Sequence, residues 1–163
     1  MLSIKNITNF SLKENLVSCS LVVLIFILDR VSKIKVINSE LIENNLYIND
    51  YINFDLVWNT GIGFGLLSSE SNLSYNLISI AIFFVIVFVV YMAYKSNFVD
   101  KMLLSMIIGG ALGNFYDRVT FSAVPDFIDI HYGNFHWFTF NIADIFISIG
   151  ILILISKDVI FKK

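Results

Sequence analysis

Long apolar runs, without amphipathic alternation, dominate the hydrophobic pattern of this chain. Four of them approach the length of a membrane-spanning helix, at about residues 16–37, 73–94, 102–118 and 140–156. The second is the most uniformly apolar, and as a helix it would be roughly 33 Å long, which is enough to cross the hydrocarbon core of a bilayer. The pattern predicts an all-α integral membrane protein with four transmembrane helices.

Two polar segments, 38–70 and 119–139, lie between the first and second runs and between the third and fourth. In the first segment, the alternation in LYINDYINFDLVW predicts short strands, so we expect a small β-rich segment between spans one and two. The glycines of NTGIGFG indicate a bend or a close approach of the backbone. No internal repeat is visible, and residues 1–163 are therefore predicted to form a single membrane domain.

Composition and the placement of charge agree with a membrane protein and give it an orientation. Hydrophobic residues make up 57% of the chain and charged residues 15%, and the mean hydropathy is +0.79. Four spans put both termini and the turn at 95–101 on one side. That side carries most of the basic residues, namely Lys5, Lys13, Lys95, Lys101, Lys157, Lys162 and Lys163. By the positive-inside rule both termini are cytoplasmic, and segments 38–70 and 119–139 are extracytoplasmic.

Several function classes have no support in this sequence. The formal net charge is −2 and no basic patch is interleaved with aromatic residues, so nucleic acid is not an expected partner. Cys19 is the single cysteine, which excludes a disulfide within the chain. The chain has neither an HExxH zinc motif nor a Gly-x-Ser-x-Gly nucleophile motif, and we expect no metal and no cofactor.

Acidic residues near the ends of the apolar runs carry the candidate chemistry. An aspartate at the centre of a membrane helix costs about 2.5–3.5 kcal/mol, and less towards the interface. The first and third spans end on the outward face and the fourth begins there, so polar residues at these ends should lie at one depth. The aspartates in question are Asp29, Asp117, Asp126 and Asp144.

Polar residues within the spans recur at intervals of three or four, as they do on one face of a helix. These sets are Asp29 with Lys33, Asn114 with Asp117 and Arg118, and Asn141 with Asp144. Each span thus offers one polar stripe, which we expect to face the other helices. Gly109 and Gly113 form a small-xxx-small pair that allows the third span to approach a neighbour closely.

Purely structural roles remain open for many of these residues. Asp29 with Lys33 could be a helix-end ion pair, and Asn114, Asp117 and Arg118 could form a structural clasp. In the second outward segment, we expect Asp129 to be an exposed acid. We expect both His131 and His136 to be interfacial residues without a catalytic role.

A pair of close aspartates offers the simplest chemistry. Two such carboxylates cannot both ionise easily, so they share a proton. One of them then activates water as a base, while the other protonates the carbonyl oxygen or the leaving amine. From chemistry alone, Asp117 and Asp126 compete for one place in this pair. Arg118 beside Asp117 favours a fixed anion there, whereas Asp126 is expected in a loop with no basic neighbour in the sequence.

Two other classes of function compete with hydrolysis. Intramembrane carboxylates also relay protons, as in a proton-coupled carrier or channel subunit. A carrier would more often show repeated or broken helices with carboxylates near mid-span, whereas these carboxylates cluster at one face. A scaffold without chemistry is the third hypothesis.

An ordered set of motifs makes one hypothesis more specific. In chain order the motifs are LDRVSK, NTGIGFG, GGALGNFYDRV, VPDFIDIHYGNFHW and FNIADIFISIG, from about Leu28 to Gly150. The set resembles the lipoprotein signal peptidases, also called signal peptidase II. The resemblance implies a multi-pass aspartic endopeptidase of the bacterial inner membrane with its active site at the periplasmic face. Its substrates would be prolipoproteins with a diacylglyceryl-cysteine, cleaved just before that cysteine, and its partners would include membrane lipid. We expect a monomer.

The resemblance also assigns roles to residues of this chain. The catalytic pair would be Asp126 and Asp144. Supporting or substrate-binding positions would be Asp29, Lys33, Asn59, Gly61, Asn114, Asp117, Arg118 and Asn141. Two positions depart from the family pattern, because Pro125 stands where an aliphatic residue is common and Phe138 stands where proline is usual.

Overall fold

The computed structural model describes residues 4–39, 46–61 and 72–161. Within these ranges, four helices and four strands follow in the order α1, β1, β2, α2, α3, β3, β4, α4. The helices are α1 (Ile4–Ile37), α2 (Asn72–Lys95), α3 (Phe98–Phe121) and α4 (Ile142–Phe161). The strands are β1 (Leu46–Asn49), β2 (Ile52–Asn59), β3 (Val124–Tyr132) and β4 (Phe135–Phe140). Each of the four apolar runs therefore coincides largely with one helix.

Two of the helical segments are long and apolar enough to cross a membrane, Tyr75–Lys95 in α2 and Phe98–Phe121, which is the whole of α3. Much of the apolar surface of α2 is exposed, as expected of a helix in contact with lipid. Phe84 and Phe88, for example, are 64% and 60% exposed. The full set of four spans, with both termini cytoplasmic, stays a prediction.

Helix α3 is the central helix, because it packs against α1, α2 and α4. Glycines make this close packing possible on two sides. A Cβ atom at Gly109 would lie 2.9 Å from Cβ of Ile25 on α1, and one at Gly110 would lie 2.5 Å from the backbone oxygen of Ala143 on α4. The predicted close approach of the third span is confirmed, and Gly110, which was not predicted to take part, belongs to it.

A four-stranded antiparallel sheet, in the order β1-β2-β3-β4, joins the two segments that we predicted to be outward. The prediction of strands in the first segment is confirmed. No strands were predicted for the second segment, and β3 and β4 come from it. Asp126 accordingly lies on β3 and not in a loop. Strand β3 is paired on both edges and contacts α1 and α3, and its side chains are mostly buried on both faces. The chain therefore shows little alternation of polar and apolar residues there.

The two departures from the family pattern fit this sheet. Pro125 is the second residue of β3 and pairs with Trp58 of β2, at a point that β4 does not reach, since β4 pairs only from Ile128 onward. Proline is tolerated at strand starts and edges. Phe138 lies on β4 opposite Ile130, beside an irregularity in the pairing of β3 with β4.

The contact between Gly110 and α4 gives a test of the packing. We expect Gly110→Ala to lower the free energy of unfolding by about 1–3 kcal/mol, because the added methyl group collides with backbone and not with a flexible side chain. Chemical unfolding of the purified protein in detergent measures this. Ala81→Val, at an exposed position of α2, is the control and should change stability little. Equal effects of the two substitutions would contradict the proposed packing.

Candidate active site

A buried lysine ammonium group joins α1 to α3 at the sheet end of the helices. Lys33 Nζ donates hydrogen bonds to Asp29 Oδ2 at 2.8 Å, to Asp117 Oδ2 at 2.7 Å and to Asn114 Oδ1 at 2.8 Å. Lys33, Asp29 and Asp117 are each 0% exposed. Every proton of the ammonium group is therefore used, which is the condition under which a buried charge is tolerated. The predicted Asp29–Lys33 ion pair is confirmed.

Arg30 supplies a second cation to this cluster. Its Nη2 lies 2.5 Å from Asp117 Oδ1, and its guanidinium stacks over the Tyr116 ring at 4.9 Å. Asp29 Oδ1 also accepts a hydrogen bond from the backbone N–H of Ala143, at 3.1 Å, and this contact ties α4 to α1. Two aspartates and two cations thus balance in charge at the meeting point of three helices. Arg30 was missed in the sequence, although it adjoins Asp29 in LDRVSK.

The structural clasp that the sequence left open for Asn114, Asp117 and Arg118 contains no direct Asp117–Arg118 pair, because these two side chains have different partners. Residues adjacent on a helix do not face each other. Asp117 takes its cations from α1, whereas Arg118 donates to the backbone oxygens of Gly61, at 2.9 Å, and Asn114, at 3.2 Å. Arg118 therefore anchors the end of β2 and the residues just after it to α3.

Asn114 connects the charge cluster to Asp144 by hydrogen bonds. Its Oδ1 accepts from Lys33, and its Nδ2 donates to Asp144 Oδ1 at 2.8 Å. Because an ammonium group can only donate, it fixes which end of the Asn114 amide faces α1. The amide NH₂ group must then face Asp144.

The start of α4 holds Asp144 in a second way. The backbone N–H of Asn141 donates to Asp144 Oδ2, and the backbone N–H of Asp144 donates to Asn141 Oδ1, both at 3.1 Å. This reciprocal pair is a capping box, and it satisfies backbone donors of the first turn. A carboxylate in the first turn also interacts favourably with the helix dipole. The three-residue spacing noticed in the sequence thus has a local structural cause.

Asp126 is 3% exposed and receives one amide donor on each oxygen. Asn141 Nδ2 donates to its Oδ1 at 2.6 Å, and Asn59 Nδ2 donates to its Oδ2 at 2.9 Å. Burial, together with the charge of the neighbouring Asp144, raises the pKa of Asp126 to about 6, against the lowering effect of the two amides. Asp126 therefore remains protonated at a higher pH than an ordinary aspartate, and it does so beside a second carboxyl group.

Asn59 owes its orientation to the residues that follow β2. Its Oδ1 accepts the backbone N–H of Gly61 at 2.8 Å, so its Nδ2 is directed at Asp126. Arg118 holds the Gly61 oxygen, and the Tyr75 hydroxyl donates to the backbone oxygen of Arg118 at 3.2 Å. The predicted bend of NTGIGFG is described only as far as Gly61, and the rest of that motif lies outside the described residues.

A groove of about 240 Å³ opens beside Asp144 between β4 and α4. Apart from the carboxylate, its lining is almost entirely apolar, and the residues are Phe138, Phe140, Ile145, Ser148 and Ile149. The groove can receive an apolar segment of a ligand and place it against the Asp144 carboxylate. Phe138, one of the two departures from the family pattern, is therefore a wall of this groove.

Most of the residues expected at a site do lie together. Asp126 and Asp144 share Asn141 as a common hydrogen-bond partner, and the charge cluster reaches Asp144 through Asn114. The expectation for Asp129 is wrong: it is 3% exposed and contacts both histidines. His131 is also buried, at 5%, while the side chain of His136 is 57% exposed.

Comparisons with known proteins identify the family. The family model described as Signal peptidase (SPase) II matches residues 21–160. A protein of Pelagibacter ubique (strain HTCC1062), named lipoprotein signal peptidase, is 42% identical over 160 residues, which covers 97% of this chain and 93% of the relative. A protein of Anaplasma marginale (strain Florida) with the same name is 35% identical over 152 residues, or 92% of this chain and 88% of the relative.

Two solved structures are similar as well. Both are described as bacterial membrane enzymes, determined by the in meso method at 2.3 Å and 1.9 Å resolution. The first has a TM-score of 0.72 and 31% identity, and it covers 90% of this chain and 92% of that chain. The second has a TM-score of 0.70 and 28% identity, with coverage of 86% and 90%.

The chain belongs to the signal peptidase II family, and it is an aspartic peptidase of that type. This membership confirms the resemblance found in the sequence motifs. Of the three hypotheses, it supports the peptidase and not the proton-coupled carrier or the scaffold.

Lys33 gives a test of the charge cluster. We expect Lys33→Met to destabilise the protein by about 3–5 kcal/mol, because it leaves Asp29 and Asp117 buried with one cation fewer. Lys35→Met removes the same charge from an exposed position on the same helix and should have little effect. Unfolding in detergent compares the two variants, and a Lys33→Met protein as stable as the Lys35→Met protein would contradict the role of the cluster.

Proposed function

We propose that this protein cleaves the signal peptide from prolipoproteins at a site formed by Asp126 and Asp144. The observation that carries the proposal is the joint geometry of the two carboxyl groups, which share Asn141 and are held by separate amide donors. The lipoprotein signal peptidases that resemble the chain make the substrate class specific. The bond cleaved is the one just before a cysteine that carries diacylglycerol.

The two carboxyl groups have different roles in hydrolysis, one as the base and the other as the acid. In the pair that shares one proton, Asp144, at the N-terminus of α4, acts as the base and takes a proton from water as the water oxygen attacks the peptide carbonyl carbon. Asp126, whose pKa is raised to about 6, gives its proton to the carbonyl oxygen. The tetrahedral intermediate then collapses, the C–N bond breaks, and the leaving amine takes a proton from the pair. The supporting roles proposed for Asn59, Asn114 and Asn141 are to hold the two groups in place.

The proposal includes an arrangement in the membrane. All four helices cross the bacterial inner membrane, both termini are cytoplasmic, and the sheet lies at the periplasmic face. The cluster at Lys33 lies at the same end of the helices as the sheet, which supports an active site close to that face. The apolar groove beside Asp144 offers a place for the apolar signal peptide or its lipid. A monomer suffices, because one chain supplies both aspartates.

Replacing either aspartate by asparagine tests the assignment. We expect Asp126→Asn and Asp144→Asn each to lower kcat/KM by roughly 10²–10⁴-fold or more, because asparagine keeps the shape but carries no titratable proton. The measurement is the mass shift of a purified, diacylglyceryl-modified prolipoprotein after incubation with each variant in detergent or liposomes.

Two controls make this experiment specific. Asp129→Asn changes another buried carboxyl group of β3, three residues away, and should keep nearly full activity. A substrate without the diacylglyceryl group should be cleaved poorly if the lipid is part of recognition. Full processing by Asp126→Asn or Asp144→Asn would overturn the assignment.

The raised pKa of Asp126 predicts a pH dependence. As pH rises through about 6, Asp126 loses the shared proton, so we expect kcat/KM to fall on the alkaline side of that value. Asn59→Ala removes a hydrogen bond that favours the charged form, and this should raise the pKa and move the alkaline limb to higher pH.

Asn53→Ala is the matched control for the pH profile, because Asn53 is the same residue type on the same strand and contacts His131 instead. Its profile should coincide with that of the native enzyme. An alkaline limb that stays in place in Asn59→Ala would show that Asp126 does not control it.

A further inference from the structure

Three side chains with metal-binding chemistry converge on one face of the sheet, apart from the two candidate catalytic aspartates. Asp129 and His131 are two residues apart on β3 and therefore point to the same face, and His136 is the β4 residue paired with His131. One potential ligand atom from each of the three lies within 4.8 Å of the other two. This set was not predicted from the sequence, because its spacing follows strand pairing and not a helical zinc motif.

The carboxylate oxygen Asp129 Oδ2 is the centre of the set. His136 Nδ1 lies 2.7 Å from it and His131 Nδ1 lies 3.5 Å from it. In a tetrahedral zinc site, ligand distances of about 2.0–2.2 Å place neighbouring ligand atoms roughly 3.3 Å apart. The observed distances bracket that value, and the exposed His136 side chain has room to adjust.

The buried imidazole of His131 points to a cation. Its Nδ1 is buried and has no hydrogen-bond partner among the residues that the structure describes, although it faces the Asp129 carboxylate. The other ring nitrogen, Nε2, lies 3.4 Å from the side-chain amide of Asn53. An amide oxygen and nitrogen are distinguished only by their hydrogen bonds. With the Asn53 oxygen facing Nε2–H, the Nδ1 lone pair and the carboxylate are directed at the same point.

Charge balance favours the same conclusion. Asp129 is 3% exposed, and within residues 4–39, 46–61 and 72–161 its ion pairs are those with the two imidazoles. A buried carboxylate needs a compensating charge. A divalent ion bound by all three ligands supplies that charge. A further hydrogen bond from the second ring nitrogen, of the kind Asn53 offers, is usual for a histidine that binds metal.

We propose that Asp129, His131 and His136 bind a divalent transition-metal ion, with Zn²⁺ as the best match to two imidazoles and one carboxylate. The open side of His136 leaves a coordination position for water. The site links β3 to β4 and stabilises the sheet. It lies about 10 Å along β3 from Asp126, on the opposite face of the strand, so it takes no part in peptide hydrolysis.

Zn²⁺ titration of the purified full-length protein tests the proposal. The protein carries the substitution Cys19→Ser, to remove the exposed thiol, and an affinity tag without histidine, and it is first treated with EDTA. We expect one equivalent of Zn²⁺ to bind by calorimetry, Co²⁺ to give the visible absorption of a four-coordinate site, and Zn²⁺ to raise the melting temperature.

Variants separate a built site from general surface binding. His136→Ala should abolish the Co²⁺ absorption and the thermal shift, and Asn53→Ala should weaken Zn²⁺ binding about 10–100-fold. Trp137→Ala, at an equally exposed position of the same strand, should leave binding unchanged. Circular dichroism confirms that each variant is folded.

Two results would overturn the proposal. One is the absence of saturable Zn²⁺ binding to the native protein, as expected if the imidazoles only donate hydrogen bonds to Asp129. The other is binding that persists unchanged in His136→Ala. Peptidase activity in EDTA should stay within twofold of the untreated enzyme, and its loss would contradict the separation of this site from hydrolysis. Because Zn²⁺ binding is measured without substrate, the result is independent of the proposed function.

Discussion

The burial of the Lys33 ammonium group is the constraint on which the rest of the site depends. An ammonium group without water must use all three of its protons, and here they go to Asp29, Asp117 and Asn114. The first acceptor is on α1 and the other two are on α3, so these helices have one favourable position relative to each other. The backbone N–H of Ala143 brings α4 to the same point through Asp29. The start of α4 is therefore positioned by electrostatics as well as by packing.

The two groups of carboxylates differ in how their charge is compensated. Asp29 and Asp117 face a lysine and an arginine, and their cluster is close to neutral. Asp126 is similarly buried, but its two hydrogen-bond donors are neutral amides that offset the effect of burial only in part, so its proton is retained up to a pH of about 6. In the unfolded chain this group would titrate near 3.8.

This difference gives the stability of the protein a pH dependence. Because the folded protein holds the Asp126 proton more tightly than the unfolded chain does, stability falls as pH rises from about 4 to about 6. The loss is on the order of 3 kcal/mol above that range. The charge-balanced cluster thus stabilises the fold. The raised pKa of Asp126 lowers the stability at higher pH but keeps a proton available for chemistry.

The sequence predicted the features that follow from local patterns. Apolar runs located the four helices, the spacing of Asp29 and Lys33 gave a real ion pair, and the motifs identified the family. It failed where the outcome depends on pairing between distant segments. The side chains of β3 are mostly buried on both faces, so its sequence lacks the alternation of a half-exposed strand, and Asp126 was expected in a loop and Asp129 on the surface. The partner of Asp117 likewise lies on another helix, and adjacency to Arg118 was misleading.

The most direct measurement for the central claim is an infrared titration of the carboxyl groups in the native protein, in Asp126→Asn and in Asp144→Asn. A carboxyl band that titrates near pH 6, is absent in Asp126→Asn and shifts in Asp144→Asn is the predicted result, whereas an Asp126 band that titrates near pH 4 would contradict the account.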